Sequence, residues 1–233
     1  MKNIYVCADL HINADDNYKR DLLLKLINDL TEEDELIIAG DLFEVFIGDV
    51  DLQLNWQKEI LSNINASVKS GRKISYVEGN RDYFISELSN NFFYEVQRQI
   101  LYRFDGKVAI VHGDLINKKD KLYFLWRMIS RRKIMLKIIK CFPEYKSIKF
   151  IYWLEKRMRS LNKKYKNYIP FDEIRKYISK REVELIVSGH FHKFIKLSLN
   201  GKLFICIPSW NEHPNILKIW FDNGAILHKL MML

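Results

Sequence analysis

Asn3-Ile4-Tyr5-Val6-Cys7-Ala8-Asp9-Leu10-His11 decides the fold. The apolar run over residues 3–8 is too short for an amphipathic helix and reads as a buried strand. It delivers the chain directly onto an acid and an imidazole two residues apart. The same grammar returns four times. The run 35–39 ends in Gly40-Asp41, and 73–77 ends in Gly79-Asn80-Arg81-Asp82. The run 107–111 ends in His112-Gly113-Asp114, and 184–187 in Gly189-His190-Phe191-His192.

Between the first three runs lie two helical patterns. Residues 17–30 carry Leu22, Leu23, Leu26, Ile27 and Leu30 on one side, and 52–69 close on Ser70-Gly71. A strand–helix–strand–helix–strand opening predicts a parallel sheet with crossover helices. Later strands are expected at 100–104, 107–111, 194–199, 202–207, 216–221 and 225–230. Asp105-Gly106, Asn200-Gly201 and Asn223-Gly224 supply hairpin turns. Two helices are expected at 123–140 and 145–166, separated by Cys141-Phe142-Pro143. Pro170 opens a third, at 171–179.

Charge divides the chain. The net charge is +9, yet residues 118–166 hold 17 Lys/Arg against 3 Asp/Glu, which leaves the remainder mildly acidic. Such a concentration expects an anionic partner: nucleic acid, an acidic membrane surface or a phosphorylated ligand. The division is therefore a core of 1–116 and 171–233 carrying a basic helical insertion, 117–170. Cys7, Cys141 and Cys206, odd in number and far apart, read as buried reduced thiols. No run of about eighteen uncharged apolar residues spans a membrane, and the start of the chain lacks signal-peptide character, so a cytoplasmic protein is expected.

The strand-end clusters carry the chemistry. Ligands bind outside the carboxyl ends of strands in open α/β sheets, so residues remote in sequence converge there. Asp9, His11, Asp41, Asn80, His112, His190 and His192 offer imidazole, carboxylate and amide donors, a set suited to Mn, Fe or Zn. Alternate residues of an extended end share a face, so Asp9-x-His11 and His190-x-His192 can each grip one site. A lone Asp-x-His or Gly-Asp is a common surface pairing. Five clusters in order, holding four of the six histidines, are not. His213 and His228 read as surface or packing residues, although His213 follows a strand and could approach the site.

This order of motifs resembles the calcineurin-like metallophosphoesterase superfamily over nearly the whole chain. The resemblance implies a four-layer α/β/β/α sandwich with a helical insertion, or lid. It also implies two divalent metals: Asp9, His11 and His192 on one, Asn80, His112 and His190 on the other, with Asp41 bridging. Two cations about 3.5–4 Å apart would activate a water for in-line attack on phosphorus. Many members carry His where Arg81 stands. Arg81 cannot donate a proton at neutral pH but can clamp a phosphate, which suits a nucleotide leaving group. Asp82 is expected to orient a ligand from behind.

Within the superfamily, Leu42-Phe43-Glu44-Val45-Phe46-Ile47-Gly48-Asp49, Gly-Asn-Arg-Asp-Tyr from Gly79, and His-Gly-Asp from His112 look like the bacterial UDP-2,3-diacylglucosamine pyrophosphatases of lipid A synthesis. That resemblance implies hydrolysis at the α-phosphorus of the lipid nucleotide, with Mn²⁺ as the metal. It places Asp41, Asn80, Arg81 and His112 in catalysis. It places Asn80, Arg81, Asp120, Tyr123, Arg157, Asn162, Lys163 and His192 at the substrate. It further implies a protein peripheral on the inner face of the cell membrane, whose insertion takes the acyl chains on an apolar face and meets phosphate and membrane with a basic one. Phe46, Val50, Phe191 and Lys166 depart from the family pattern; none is a metal ligand, and several bear on substrate recognition. The rival reading is a nuclease or other phosphodiesterase using the basic segment on nucleic acid, and behind it a binding module of the same fold. The aromatic residues alternate with aliphatics at helical spacing, which favours an apolar groove over base stacking, so no nucleic acid is expected.

Overall fold

The computed structural model describes residues 3–161 and 168–233. In chain order the elements begin β1 (Asn3–Cys7), α1 (Asn17–Asn28), β2 (Glu35–Ile38), β3 (Phe46–Ile47), α2 (Asn55–Lys69), β4 (Lys73–Val77), β5 (Asp82–Tyr83), α3 (Ile85–Leu88) and β6 (Glu95–Gln97). They continue with β7 (Ile100–Arg103), β8 (Val108–Val111), α4 (Lys121–Ser130), α5 (Lys133–Lys140), α6 (Glu144–Leu161) and α7 (Phe171–Ser179). The chain finishes with β9 (Leu185–Ser188), β10 (Ile195–Leu199), β11 (Lys202–Cys206), β12 (Asn215–Asp222) and β13 (Ala225–Met232).

One sheet has the order β13-β12-β1-β2-β4-β6, the other β10-β11-β9-β8-β7. The expected parallel pairing holds among β1, β2 and β4; β6 joins β4 in parallel, and β9 pairs in parallel with both β8 and β11. Period-two alternation sorts the side chains into layers. On β2, Leu36 and Ile38 face α1 and α2, joining Leu23, Ile27, Ile60, Leu61 and Ile64. Ile37 points the other way, into the layer between the sheets with Val6, Val77, Ile110, Val187 and Ile219. Beyond the second sheet, Ile174 and Ile178 of α7 pack on Ala109, Ile186 and Phe204. These are the four layers α/β/β/α. Each fully buried aliphatic side chain contributes roughly 2 kcal/mol, so the layers carry most of the stability.

Several local expectations fail for identifiable reasons. The helix expected from residue 52 starts at Asn55, after a single 3₁₀ turn at Val50–Leu52. Gln53 donates to Ile47 O at 2.8 Å and Gln57 to Val45 O at 2.8 Å, so two amides hold the preceding chain against the helix start. The short pair β3–β5 was not legible, because it is only two residues deep. The single helix expected at 123–140 is two, α4 and α5. Arg131, which caps α4, turns its side chain into the core, and Arg132 is extended. Cys7 and Cys206 are buried as expected, but Cys141 is exposed between α5 and α6. That turn lies on the surface, where an apolar neighbourhood is not needed.

Candidate metal centre

The seven donors converge because the backbone continues pairing past the strand ends. Asp9 N donates to Gly40 O at 3.1 Å, His11 N to Asp41 O at 3.0 Å, and Gly189 N to His112 O at 2.8 Å. Five of the seven adopt left-handed backbone: Asp9 (φ 53), His11 (φ 47), Asp41 (φ 54), His190 (φ 71) and His192 (φ 57). Only a few per cent of non-glycine residues do so, and such strain concentrates where a site is over-determined by its surroundings. Gly40 and Gly79 make room for this. A Cβ on Gly40 would lie 2.6 Å from His112 Nδ1, and one on Gly79 would lie 2.3 Å from Asp41 Oδ1.

Two groups of donor atoms result. In the first, His192 Nε2 lies 3.3 Å from Asp9 Oδ1 and 3.3 Å from His11 Nε2. In the second, Asn80 Oδ1 lies 2.9 Å from His112 Nε2 and 2.8 Å from His190 Nδ1. Asp41 Oδ1 stands 3.7 Å from His112 Nε2. Asp9 belongs with His11 and His192 and also with Asp41 and His112, each triad's donor atoms lying within 4.8 Å of one another. Asp9 thus links the two groups alongside Asp41, whose bridging role was the one expected.

The residues fit divalent cations. Asp9 Oδ1 and His11 Nδ1 are buried without a hydrogen-bond partner, at a cost that a coordinated ion removes. Neutral imidazoles are what a metal needs. Burial holds His11 well below its ordinary pKa with help from Arg81, and burial beside His112 pulls His190 down to about 4. Burial lowers His112 too, but the Asp41 and Asp9 carboxylates outweigh it and raise its pKa to about 9, so the centre draws positive charge. His112 Nδ1 bonds to Ala39 O at 2.9 Å, which aims Nε2 into the site.

Arg81 and Asp82 frame this centre from opposite sides. Arg81 is buried, with Nη1 2.5 Å from Glu44 Oε2 and Nε 3.5 Å from Asp41 Oδ2. Asp82 Oδ2 accepts from Gly79 N at 2.6 Å, Asp41 N at 3.0 Å and Tyr76 Oη at 2.9 Å. It therefore ties the Asp41 and Asn80 loops together from behind, and burial with the Asp41 charge raises its pKa to about 8.

The expected substrate residues divide. Asn80, Arg81 and His192 lie at the centre. Asp120 caps α4, accepting from Tyr123 N at 2.9 Å, and the Tyr123 hydroxyl donates to Asp114. Arg157 lies exposed on α6, and Asn162 and Lys163 lie outside the described residues. His213 is exposed, and its carbonyl accepts from Asn215. Sequence reasoning missed Glu44, Asp114, Arg127 and Arg131. Glu44 and Asp114 sit inside quoted motifs, so their burial was the missing information. Asp114 is paired with Arg127 of α4, and that cation outweighs burial and keeps its carboxyl pKa low. Between the core and the helical segment lies an apolar groove. Ile47, Leu52, Tyr83 and Phe84 line one side, and Trp126, Met135, Leu136, Ile139 and Ile151 the other.

Relatives extend over nearly the whole chain. The UDP-2,3-diacylglucosamine hydrolase of Hamiltonella defensa subsp. Acyrthosiphon pisum (strain 5AT) is 22% identical, covering 95% of this chain and 93% of its own. That of Shewanella piezotolerans (strain WP3 / JCM 13877) is 28% identical over 97% of this chain and 98% of its own. The enzyme of that name from Neisseria meningitidis serogroup B (strain ATCC BAA-335 / MC58) is 27% identical over 97% of each. The family model for calcineurin-like phosphoesterases matches residues 2–194, a span that takes in all five strand-end clusters, and the chain belongs to that family of metal-dependent hydrolases.

Proposed function

We propose that this phosphoesterase hydrolyses the pyrophosphate of UDP-2,3-diacylglucosamine, releasing UMP and 2,3-diacylglucosamine 1-phosphate, with two divalent ions, Mn²⁺ foremost. The observation that carries this reading is the apolar groove beside the donor cluster. Tyr83, next but one to Arg81, lines it together with residues of α4, α5 and α6. A substrate with a diphosphate at one end and acyl chains at the other fits such a pairing. The names of the relatives agree with it.

The ions, when bound, supply charge neutralisation at the phosphoryl oxygens and activation of a water. The side chains do the rest. Asp9, His11 and His192 would hold one ion, Asn80, His112 and His190 the other, and Asp41 would serve both. Arg81, oriented by Glu44, clamps a phosphate oxygen and stabilises the departing 2,3-diacylglucosamine 1-phosphate without giving it a proton. Asp82 fixes the loop that carries them.

Residues 117–170 act as a lid. Helix α5 is apolar on two faces: Met135, Leu136 and Ile139 line the groove, whereas Ile134 and Ile138 are exposed. Lys133 and Lys137, both exposed, each precede one of the outer pair in sequence, and Lys140 pairs with Asp49 and Asp51. A basic helix with uncovered apolar side chains suits the anionic inner face of the cell membrane. No described helix is long and apolar enough to cross it.

The test is UMP release from the lipid nucleotide with Mn²⁺, run beside Asp41→Ala and bis-p-nitrophenyl phosphate. Turnover of the lipid nucleotide far above the diester, and reduced about 1000-fold or more in the variant, is expected. Diester hydrolysis alone would discard the lipid substrate and return nucleic acid as the candidate.

A further inference from the structure

The helical segment sends one cation into the metal-binding loop. Arg131, at the end of α4, is 7% exposed. Its Nη2 donates to Gly79 O at 2.5 Å and to Asp82 O at 2.8 Å. Those two carbonyls bracket Asn80 and Arg81, one expected to bind metal and the other phosphate. The guanidinium lies over the Tyr83 ring, 5.7 Å from its centroid. Nε and Nη1 are buried without hydrogen-bond partners, and no carboxylate of a described residue pairs with this arginine.

Burying a guanidinium on two neutral carbonyls and a ring face is costly. A stretch with only a packing role would use an aliphatic side chain. The cost is incurred at a specific place: α4 breaks at Arg131, and the broken helix lets the side chain reach the loop. On the other side, the Asp82 carboxylate holds Gly79 N and Asp41 N. The Gly79–Asp82 turn is thus held through Gly79 N by Asp82, through Arg81 N by Asp41, and through two carbonyls by Arg131.

We propose that Arg131 is a positioning residue. It fixes the Gly79–Asp82 turn so that Asn80 Oδ1 meets His112 and His190 and so that Arg81 faces the phosphate, and it makes the helical segment part of the metal centre's support. This rests on the reading of Asn80 and Arg81 given above. Partners behind a metal ligand are typically worth about 10–100-fold in affinity or rate.

The experiment compares wild type, Arg131→Met, Arg131→Lys and Arg132→Met, the last altering the exposed neighbour. Mn²⁺ binding to the free protein is measured by calorimetry, and kcat and KM are measured at saturating Mn²⁺. Arg131→Met is expected to weaken Mn²⁺ binding about 10-fold and to lower kcat about 10–100-fold, with KM within about twofold. Arg131→Lys, which keeps the charge and can reach one carbonyl, should recover part of both. Arg132→Met should match wild type. A folded Arg131→Met with wild-type Mn²⁺ affinity and kcat overturns the proposal, as does an equal loss in Arg132→Met. Should Arg131→Met fail to fold, Arg131→Lys decides alone: an intermediate loss supports the role and a wild-type value removes it. If wild type hydrolyses no lipid nucleotide, the Mn²⁺ measurement still judges Arg131 while the substrate reading falls.

Discussion

The strand ends and the helical segment handle charge and apolar surface in opposite ways. At the strand ends, Asp9, Asp41, Asp82 and His112 are almost fully buried, and five donors adopt left-handed backbone. Along α4 to α6, described cations other than Arg127 and Arg131 lie outside and apolar side chains are left uncovered, among them Leu122, Met128, Ile134, Ile138 and Trp153. The first region holds its geometry by packing and backbone bonds before any ligand arrives. The second keeps apolar surface available for one. On the proposed reading, the comparison teaches that a single active site can combine a rigid half, which fixes reacting atoms, with an adaptable half, which selects what is brought to them.

The largest effect should come from disturbing the rigid half where it has no slack. Gly79→Ala would place a methyl group 2.3 Å from Asp41 Oδ1 and 2.8 Å from Asp41 N. Either the carboxylate or the turn must move. The expected result is a loss of about 100-fold in kcat with weakened Mn²⁺ binding, because small misplacements of positioned groups are that costly. Overpacking should lower stability by about 1–3 kcal/mol in a denaturant titration. An unchanged Mn²⁺ affinity would show the rigid half to be softer than its contacts imply.

A smaller effect separates the two halves. Leu136→Ala removes one wall of the apolar groove and leaves every donor in place. Losing about 1.5–3 kcal/mol of apolar contact should raise KM for the diacylated substrate about 10-fold, with hydrolysis of bis-p-nitrophenyl phosphate unchanged. Equal losses on both substrates would mean that the groove acts on the metal centre itself, and the division between the halves would fail.

The same division governs what could be read from sequence. Most strands and the polar clusters at their ends were legible because each depends on local pattern, a short apolar run and then a polar cluster, whereas the four layers were implied by the resemblance. The hairpins at Asn200-Gly201 and Asn223-Gly224 appear at the expected registers, since those residues readily take positive φ. The partners of these motifs were not legible. Glu44 beneath Arg81, Arg127 on Asp114 and Arg131 on the Gly79–Asp82 turn depend on which surfaces meet, over separations of up to 52 residues. The break between α4 and α5 has the same origin. Helical spacing runs through residues 129–134, and only the buried carbonyls near Asn80 explain why the chain departs from it. An arginine in a basic segment looks like any other until the structure shows where it points.

The smallest effect concerns the outer face of α5. Ile138 is 48% exposed, points away from the groove, and has Lys137 beside it. Replacing it by Ser should change stability by under about 0.5 kcal/mol, because little buried contact is lost. It should leave diester hydrolysis at the wild-type rate. If the adaptable half also meets a membrane, the same change should weaken cosedimentation with phosphatidylglycerol vesicles by several-fold, since the side chain then leaves an apolar environment. Raising salt should weaken wild-type binding further by screening the surrounding lysines. Binding that responds to salt and not to Ile138→Ser would reduce the segment's role to electrostatic attraction, with its exposed apolar side chains reserved for the substrate.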